Sequence, residues 1–77
     1  MNITKELAAL TKALELAGIE PTVENATRLE ACGYLTINTA ANGSDYAWYY
    51  DGNDSTEAIV EVETGRVIKE SFESLLG

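Results

Sequence analysis

The residues most able to do chemistry lie in one stretch, NGSDYAWYYDGNDS, from Asn42 to Ser55. This stretch contains four of the chain's six aromatic residues and three aspartates, and it has no basic residue. From Asp51 onward, oxygen-bearing side chains occupy alternate positions, as ligands do in calcium-binding loops. These residues are Asp51, Asn53, Ser55 and Glu57. Three roles are therefore open: a small-ligand or calcium site, a partner-binding surface, or a piece of sheet whose aromatic residues build the core.

The composition restricts metal and catalytic chemistry. The sequence has no histidine and one cysteine, Cys32, which excludes a histidine-dependent triad, a Cys-His pair and any common zinc site. An EF-hand loop starting at Asp51 would need glycine where Thr56 stands and glutamate where Val62 stands. The carboxylates also fall on predicted exposed faces or turns, without a nucleophile-base pair. We therefore predict no enzyme activity, no metal site and no cofactor.

The charge balance disfavours direct contact with nucleic acid. The chain has 77 residues, a mass of 8.3 kDa and a net charge of −8, and no basic residue lies between Arg28 and Arg66. Affinity for a phosphate backbone comes from Lys and Arg, which are scarce here. No apolar run approaches the ~20 residues of a membrane helix, and the amino-terminal pattern is not that of a signal peptide. We expect one small domain spanning residues 1–77 in the cytoplasm.

Two helices are predicted in the first third of the chain. Apolar residues with helical 4-3-4 spacing predict the first helix at about residues 3–17, and Gly18 and Pro21 mark its end. Thr22 is a suitable N-cap for a second, shorter helix, and Gly33 is a suitable residue just past its end. The predicted buried stripe of the first helix is Ile3, Leu7, Leu10 and Leu14; that of the second is Val23, Ala26, Leu29 and Cys32.

The second helix and the following hairpin resemble the recognition helix and wing of winged-helix DNA-binding proteins. The resemblance covers Thr22 to Leu35, TVENATRLEACGYL, and the Asn-Gly turn that follows. It implies a helix-hairpin arrangement. The chain departs from that family in two ways. No further helix separates the two predicted helices. The second helix also has acidic side chains where contacts to DNA phosphates need Lys or Arg, and Arg28 is its one basic residue.

From Tyr34 onward the apolar period changes to two, which predicts strands. Tight turns are predicted at Asn42-Gly43 and Thr64-Gly65, and a helical turn capped by Ser71 at about residues 71–76. An alternative is one continuous helix over residues 66–76. The predicted strands are residues 34–41, 44–51, 56–63 and 66–70. The predicted fold class is α+β: two N-terminal helices packed on one face of a three- or four-stranded antiparallel sheet, a meander of hairpins, followed by a short C-terminal helical turn.

The predicted turn fixes a register for the first hairpin. If Asn42-Gly43 is a two-residue type I′ turn, Ile37 pairs with Trp48 and Leu35 with Tyr50. Trp48 and Tyr50 then face the helices, together with Tyr46 and the valines of the third strand, and Tyr49 faces outward. The core face of the sheet is predicted to carry Leu35, Ile37, Trp48, Tyr50, Val60 and Val62.

The open face is the predicted partner-binding site, because it would combine tyrosines with carboxylates. We expect a small acidic interaction or inhibitor protein that docks this face on a basic, nucleic-acid-binding protein surface, as phage or mobile-element inhibitors of the anti-CRISPR or anti-restriction type do. The open alternative is a self-associating homodimeric domain whose acids only solubilise it. The predicted partner-binding residues are Tyr34, Asp45, Tyr49, Asp51, Asp54, Glu57, Glu61 and Glu63.

Overall fold

Two helices precede a four-stranded antiparallel sheet in the computed structural model, which describes residues 3–70. This confirms the predicted α+β class, while the predicted helical turn at residues 71–76 lies outside the described residues. The strands follow the chain order β1-β2-β3-β4 across the sheet, which is a meander. The elements are α1 (Ile3–Leu16), α2 (Val23–Cys32), β1 (Leu35–Thr39), β2 (Asp45–Asp51), β3 (Thr56–Glu61) and β4 (Val67–Ile68).

Helix α1 buries the side predicted for it. Leu14 and Ala13 are fully buried and Leu10 nearly so, because apolar residues spaced by three and four positions share one side of a helix. The helix ends where glycine permits a left-handed residue: Gly18 has φ 83°, and the Ile19 N–H donates to the Leu14 carbonyl at 2.9 Å. This hydrogen bond satisfies a carbonyl that the end of the helix would otherwise leave unpaired.

Helix α2 has the predicted caps, but its stripe is narrower than predicted. The Thr22 hydroxyl accepts from the Asn25 N–H at 3.1 Å, and Gly33 follows the helix with φ 84°. Ala26 and Leu29 are the buried residues of the helix. The prediction that Cys32 is buried was wrong, since Cys32 is exposed in the last turn, and Val23 is exposed in the first.

Both helices lie on one side of the sheet, which we call the helix face; the other side is the outer face. Helix α1 packs across β2 and β3, and α2 packs beside β1. The predictions for β1 and β3 are confirmed: Leu35, Val60 and Val62 belong to the core cluster that includes the helices, and Ile37 packs against it. Strand β2 contributes Ala47 and Tyr49 to this cluster, and β3 also contributes Ala58.

The predicted register of the first hairpin was wrong by one residue. Ile37 pairs with Ala47, and Thr36 pairs with Trp48. The loop has three residues instead of two: the Gly43 N–H donates to the Ala40 carbonyl at 2.9 Å, and Gly43 has φ 86°. A type I′ turn would also require a positive φ at Asn42, which is not among the positive-φ residues of the described chain.

The longer loop turns every side chain of β2 to the opposite side of the sheet, because side chains alternate along a strand. Trp48 and Tyr50 therefore leave the predicted core and lie on the outer face. Tyr49 leaves the predicted partner-binding face and enters the core, where it is 5% exposed. Strand β2 allows both arrangements, since bulky residues occupy both of its alternating sets.

Deletion of Ala41 tests this account of the loop. The deletion leaves Asn42-Gly43 as a two-residue loop between Ala40 and Ser44, which already exchange the flanking hydrogen bond at 2.9 Å. We expect a folded protein with an unchanged register and a free energy of unfolding within about 1 kcal/mol of the native chain, because Asn-Gly suits a type I′ turn. Urea unfolding measures the free energy, and an NMR contact between the Hα atoms of the cross-strand partners Ile37 and Ala47 checks the register; an unfolded variant would contradict the loop assignment.

The hairpin formed by β3 and β4 also differs from its predicted turn. The Glu61 N–H donates to the Arg66 carbonyl at 2.8 Å, so four residues, 62–65, separate the paired positions rather than two. Strand β4 is limited to Val67–Ile68, shorter than the predicted residues 66–70. The presence of β4 excludes a helix continuous over residues 66–76.

The outer face is less polar than predicted. Ala40, Tyr46 and Ile59 are buried there in a second apolar cluster, and Trp48 and Ile68 pack against it. This cluster places aromatic surface beside the carboxylates of β3, which defines the candidate site.

Candidate functional site

The structure brings one half of the predicted partner-binding residues together. The ends of β2 and β3 meet at the Asp51–Ser55 turn, and the Tyr34 carbonyl accepts from the Tyr50 N–H at 2.9 Å at the same end of the sheet. Tyr34 is 39% exposed and Tyr50 is 42% exposed. The predicted residues gathered at this end are Tyr34, Asp51, Asp54 and Glu57.

The aspartates of the turn accept hydrogen bonds from backbone N–H groups. One Asp51 carboxylate oxygen accepts from the Asn53 N–H at 2.9 Å, and one Asp54 carboxylate oxygen accepts from the Thr56 N–H at 2.9 Å. Hydrogen bonds from the side chain and backbone of Thr56 lower the pKa of Asp54 below its ordinary value. Asp54 is therefore ionised at neutral pH, and it supplies a fixed negative charge at the tip of the hairpin.

An aromatic pair that the sequence-based register had placed in the core adjoins this turn on the outer face. The rings of Trp48 and Tyr50 stack with centroids 5.8 Å apart and an interplanar angle of 27°. The Trp48 indole N–H donates to a Glu57 carboxylate oxygen at 2.8 Å, and Glu57 is the cross-strand partner of Tyr50. Charge and aromatic surface are thus joined directly. We call the combined region the aromatic-acidic surface: Tyr34, Trp48, Tyr50, Asp51, Asp54 and Glu57.

Tyr49 belongs to the core, so its predicted place on the exposed face was wrong. Burial raises the pKa of the Tyr49 phenol above its ordinary value of 10.0, and nearby Asp51, Asp54 and Tyr34 raise it further. The phenol is therefore neutral at physiological pH. These neighbours also show that its hydroxyl end points toward the aromatic-acidic surface, which Tyr49 supports from the helix face.

The remaining predicted residues lie elsewhere and have partners within the chain. Asp45 accepts from the Thr39 hydroxyl at 2.6 Å on the helix side of the sheet. Glu63 is 2.9 Å from the Lys5 ammonium, and Glu61 is 3.7 Å from the Arg66 Nε. The predicted single open face is divided: Asp45 and Asp51 lie on the side of β2 that carries Ala47 and Tyr49, the helix face, whereas Glu61 lies on the outer face with Ile59.

Four of the chain's five basic residues contact groups outside the aromatic-acidic surface. The Lys12 ammonium donates to the Gly65 carbonyl at 2.8 Å, so Lys5, Lys12 and Arg66 all contact the region of the β3–β4 turn. Arg28 donates to Asn25 on α2. Within residues 3–70, the two ion pairs are those of Glu63 and Glu61, and neither includes a carboxylate of the aromatic-acidic surface.

Two kinds of feature were not found among residues 3–70, a metal-binding group of side chains and a membrane-spanning helix. Among residues 3–70, no group of three or more Cys, Asp or Glu side chains is arranged to hold a metal ion. No helix in that range is long and apolar enough to cross a membrane.

Comparison with known proteins gives no relative: no family model matches the chain, and neither the curated proteins nor the solved structures searched contain a match.

Proposed function

We propose that this chain is a small interaction protein that docks its aromatic-acidic surface on a basic surface of another protein. The observation that carries the proposal is the Glu57 carboxylate bound to the indole of the Trp48–Tyr50 pair, with Asp51 and Asp54 in the adjoining turn. Within residues 3–70, none of these three carboxylates forms an ion pair. A partner's Lys and Arg side chains would supply the missing positive charge. Tyr50 would supply contact area that costs little entropy to order.

The chemistry of the surface favours Arg and Lys as contacts. A carboxylate accepts short, charge-assisted hydrogen bonds from guanidinium and ammonium groups, and bidentate pairing favours Arg. A cation can also lie against the exposed ring of Tyr50, since aromatic rings attract cations electrostatically. Trp, Tyr and Arg are the residues that most often dominate binding energy at protein interfaces.

The proposed target is a protein surface that otherwise binds nucleic acid. Carboxylates on a rigid sheet can occupy positions that phosphates take against such a surface. The net charge of −8 also supports a basic protein as the target, because negative charge speeds the encounter with a basic partner and repels nucleic acid itself. In this proposal the chain acts in the cytoplasm as an inhibitor of the phage or mobile-element kind, of which anti-CRISPR and anti-restriction proteins are examples.

The test uses proteins that bind immobilised heparin, which enriches basic surfaces, as prey for the immobilised chain. The site variant combines Asp51→Asn, Asp54→Asn and Glu57→Gln, which remove charge but keep an acceptor for each hydrogen bond observed here. We expect one prey protein to bind the native chain, to lose affinity steeply as salt rises, and to be displaced by double-stranded DNA. For the site variant we expect a loss of about tenfold or more, equal to about 1.4 kcal/mol.

The matched control combines Glu15→Gln, Glu20→Gln and Glu24→Gln. All three residues are exposed on or between the helices, and the control removes the same number of charges as the site variant. We expect the control to bind like the native chain. Equal losses in the two variants would contradict a localised site and would leave net charge alone as the cause of capture.

A further inference from the structure

The two edges of the sheet differ in how well they are protected from pairing with another strand. Strand β4 forms one edge, but it has only two residues and lies between Arg66 and Lys69. Strand β1 forms the other edge, with five residues, LTINT, that include no charge and no proline. Natural proteins usually protect an edge strand by short length, charge, proline or a bulge, and β1 has none of these within its span.

The hydrogen-bond pattern shows which groups of β1 face outward. The Tyr50 N–H donates to the Tyr34 carbonyl and the Ala40 N–H donates to the Ser44 carbonyl, both at 2.9 Å. In an antiparallel pair the backbone groups of alternate residues point to the same neighbour. Even-numbered residues of β1 therefore bond to β2, and the N–H and C=O groups of Ile37 and Thr39 point away from the sheet.

Exposure limits the open part of this edge. Leu35 is only 1% exposed, because it is packed in the core beside α2, whereas Ile37 is half-buried and Thr39 is exposed. An added strand would therefore pair along the second half of β1. The Asn38 side chain, which donates to the Thr36 hydroxyl, lies on the outer face at the middle of this open part.

We propose that the free edge of β1 pairs with the same edge of a second copy of this chain. The pairing that fits the exposed groups places Ile37 opposite Thr39 of the second copy and Asn38 opposite itself, on a two-fold axis. Each Ile37–Thr39 contact exchanges two backbone hydrogen bonds, so the symmetric pair makes about four. A two-fold interface joins identical surfaces, which requires this self-complementarity.

Charge explains why a second copy can approach at this edge. Two copies with a net charge of −8 repel each other over most of their surfaces. The edge coincides with the longest uncharged stretch of the sequence, fourteen residues from Ala31 to Ser44, so pairing here places no like charges directly opposite each other. The resulting eight-stranded sheet would present both aromatic-acidic surfaces on one side.

The first measurement follows solution mass and amide exchange of the native chain from about 10 µM to about 1 mM, the range in which an interface this small associates. We expect the mean mass to rise from 8.3 kDa toward twice that value. We also expect the amides of Ile37 and Thr39 to gain protection as the concentration rises. A constant mass of 8.3 kDa, or a dimer in which these two amides exchange equally fast at all concentrations, would overturn the proposal.

Variants separate this edge from other surfaces. Asn38→Asp places two carboxylates opposite each other at the two-fold axis, so we expect the dissociation constant to rise about tenfold or more. Asn53→Asp adds the same charge in the distant β2–β3 turn, and we expect it to change the dissociation constant by less than about twofold. Thr39→Pro removes one outward N–H at an edge position that tolerates proline, and it should also weaken pairing. Equal effects of Asn38→Asp and Asn53→Asp would exclude this edge as the interface.

Discussion

Replacement of Tyr49 by alanine is expected to destabilise the protein by about 3–5 kcal/mol, the usual loss for a large aromatic side chain removed from a core. Tyr49 is 5% exposed and packs in the cluster that joins the sheet to the helices. A domain of 77 residues has a free energy of unfolding of about 4–12 kcal/mol. The variant should therefore lose a large part of its stability, and urea unfolding followed by circular dichroism measures this loss.

Tyr50→Ala is the matched control, because it removes the same side chain from the next residue. Tyr50 is 42% exposed and its ring contacts Trp48 on the outer face. We expect a loss of about 1 kcal/mol, from the stacking contact and partial burial. If the Tyr50 variant lost more stability than the Tyr49 variant, the register of β2 would be the one that the two-residue turn predicts.

Leu14→Ala is expected to lower the free energy of unfolding by about 2–5 kcal/mol, because it also removes a buried apolar side chain, here from the helical layer. Leu14 is 0% exposed, and α1 packs on both central strands, so the substitution leaves a cavity in the main cluster. The helix itself loses nothing, because alanine is the best helix former. Urea unfolding gives the loss in free energy of unfolding.

Leu16→Ala serves as the control for this second prediction. Leu16 lies two residues further along α1 and is 48% exposed. We expect a change of less than about 1 kcal/mol, since about half of the residue's surface is already in water. Similar losses in the two variants would mean that α1 is rotated about its axis relative to the packing described.

The helices show how much local chemistry in the sequence predicts. Thr22 and Gly33 bound α2 as predicted, because a hydroxyl cap and a left-handed glycine act through neighbouring backbone groups alone. Leu10 and Leu14 are buried as predicted, because the helical period alone sets their side. Cys32 was wrongly predicted to be buried. It follows the helical spacing of Ala26 and Leu29, but it lies in the last turn of α2, beyond the part of the helix that contacts the core.

The candidate site was only partly predictable. Asp51, Asp54 and Glu57 were identified because they lie in or beside a turn. Turn residues are exposed whichever side of the neighbouring strands faces the core. Trp48 and Tyr50 were missed as surface residues because their side depends on the register. Lys5 and Lys12 neutralise the far end of the sheet through contacts more than 50 positions away in the chain, which no local pattern shows.

Local patterns in the sequence were enough to predict the caps of α2, the sides of β1 and β3, the acidic charge and the absence of histidine chemistry. The side of β2 that faces the helices, in contrast, depends on tertiary packing. The local signals were balanced there, because Asn-Gly fits a two-residue or a three-residue loop and β2 has large residues in both alternating sets. In the observed arrangement Ala47 and Ala58 share the core with Ala9 and Ala13 of α1, so the helix approaches the sheet beside Tyr49, the one aromatic residue of this cluster among those described. The three remaining aromatic residues of β2 are thereby left for the outer face, where partner binding is proposed.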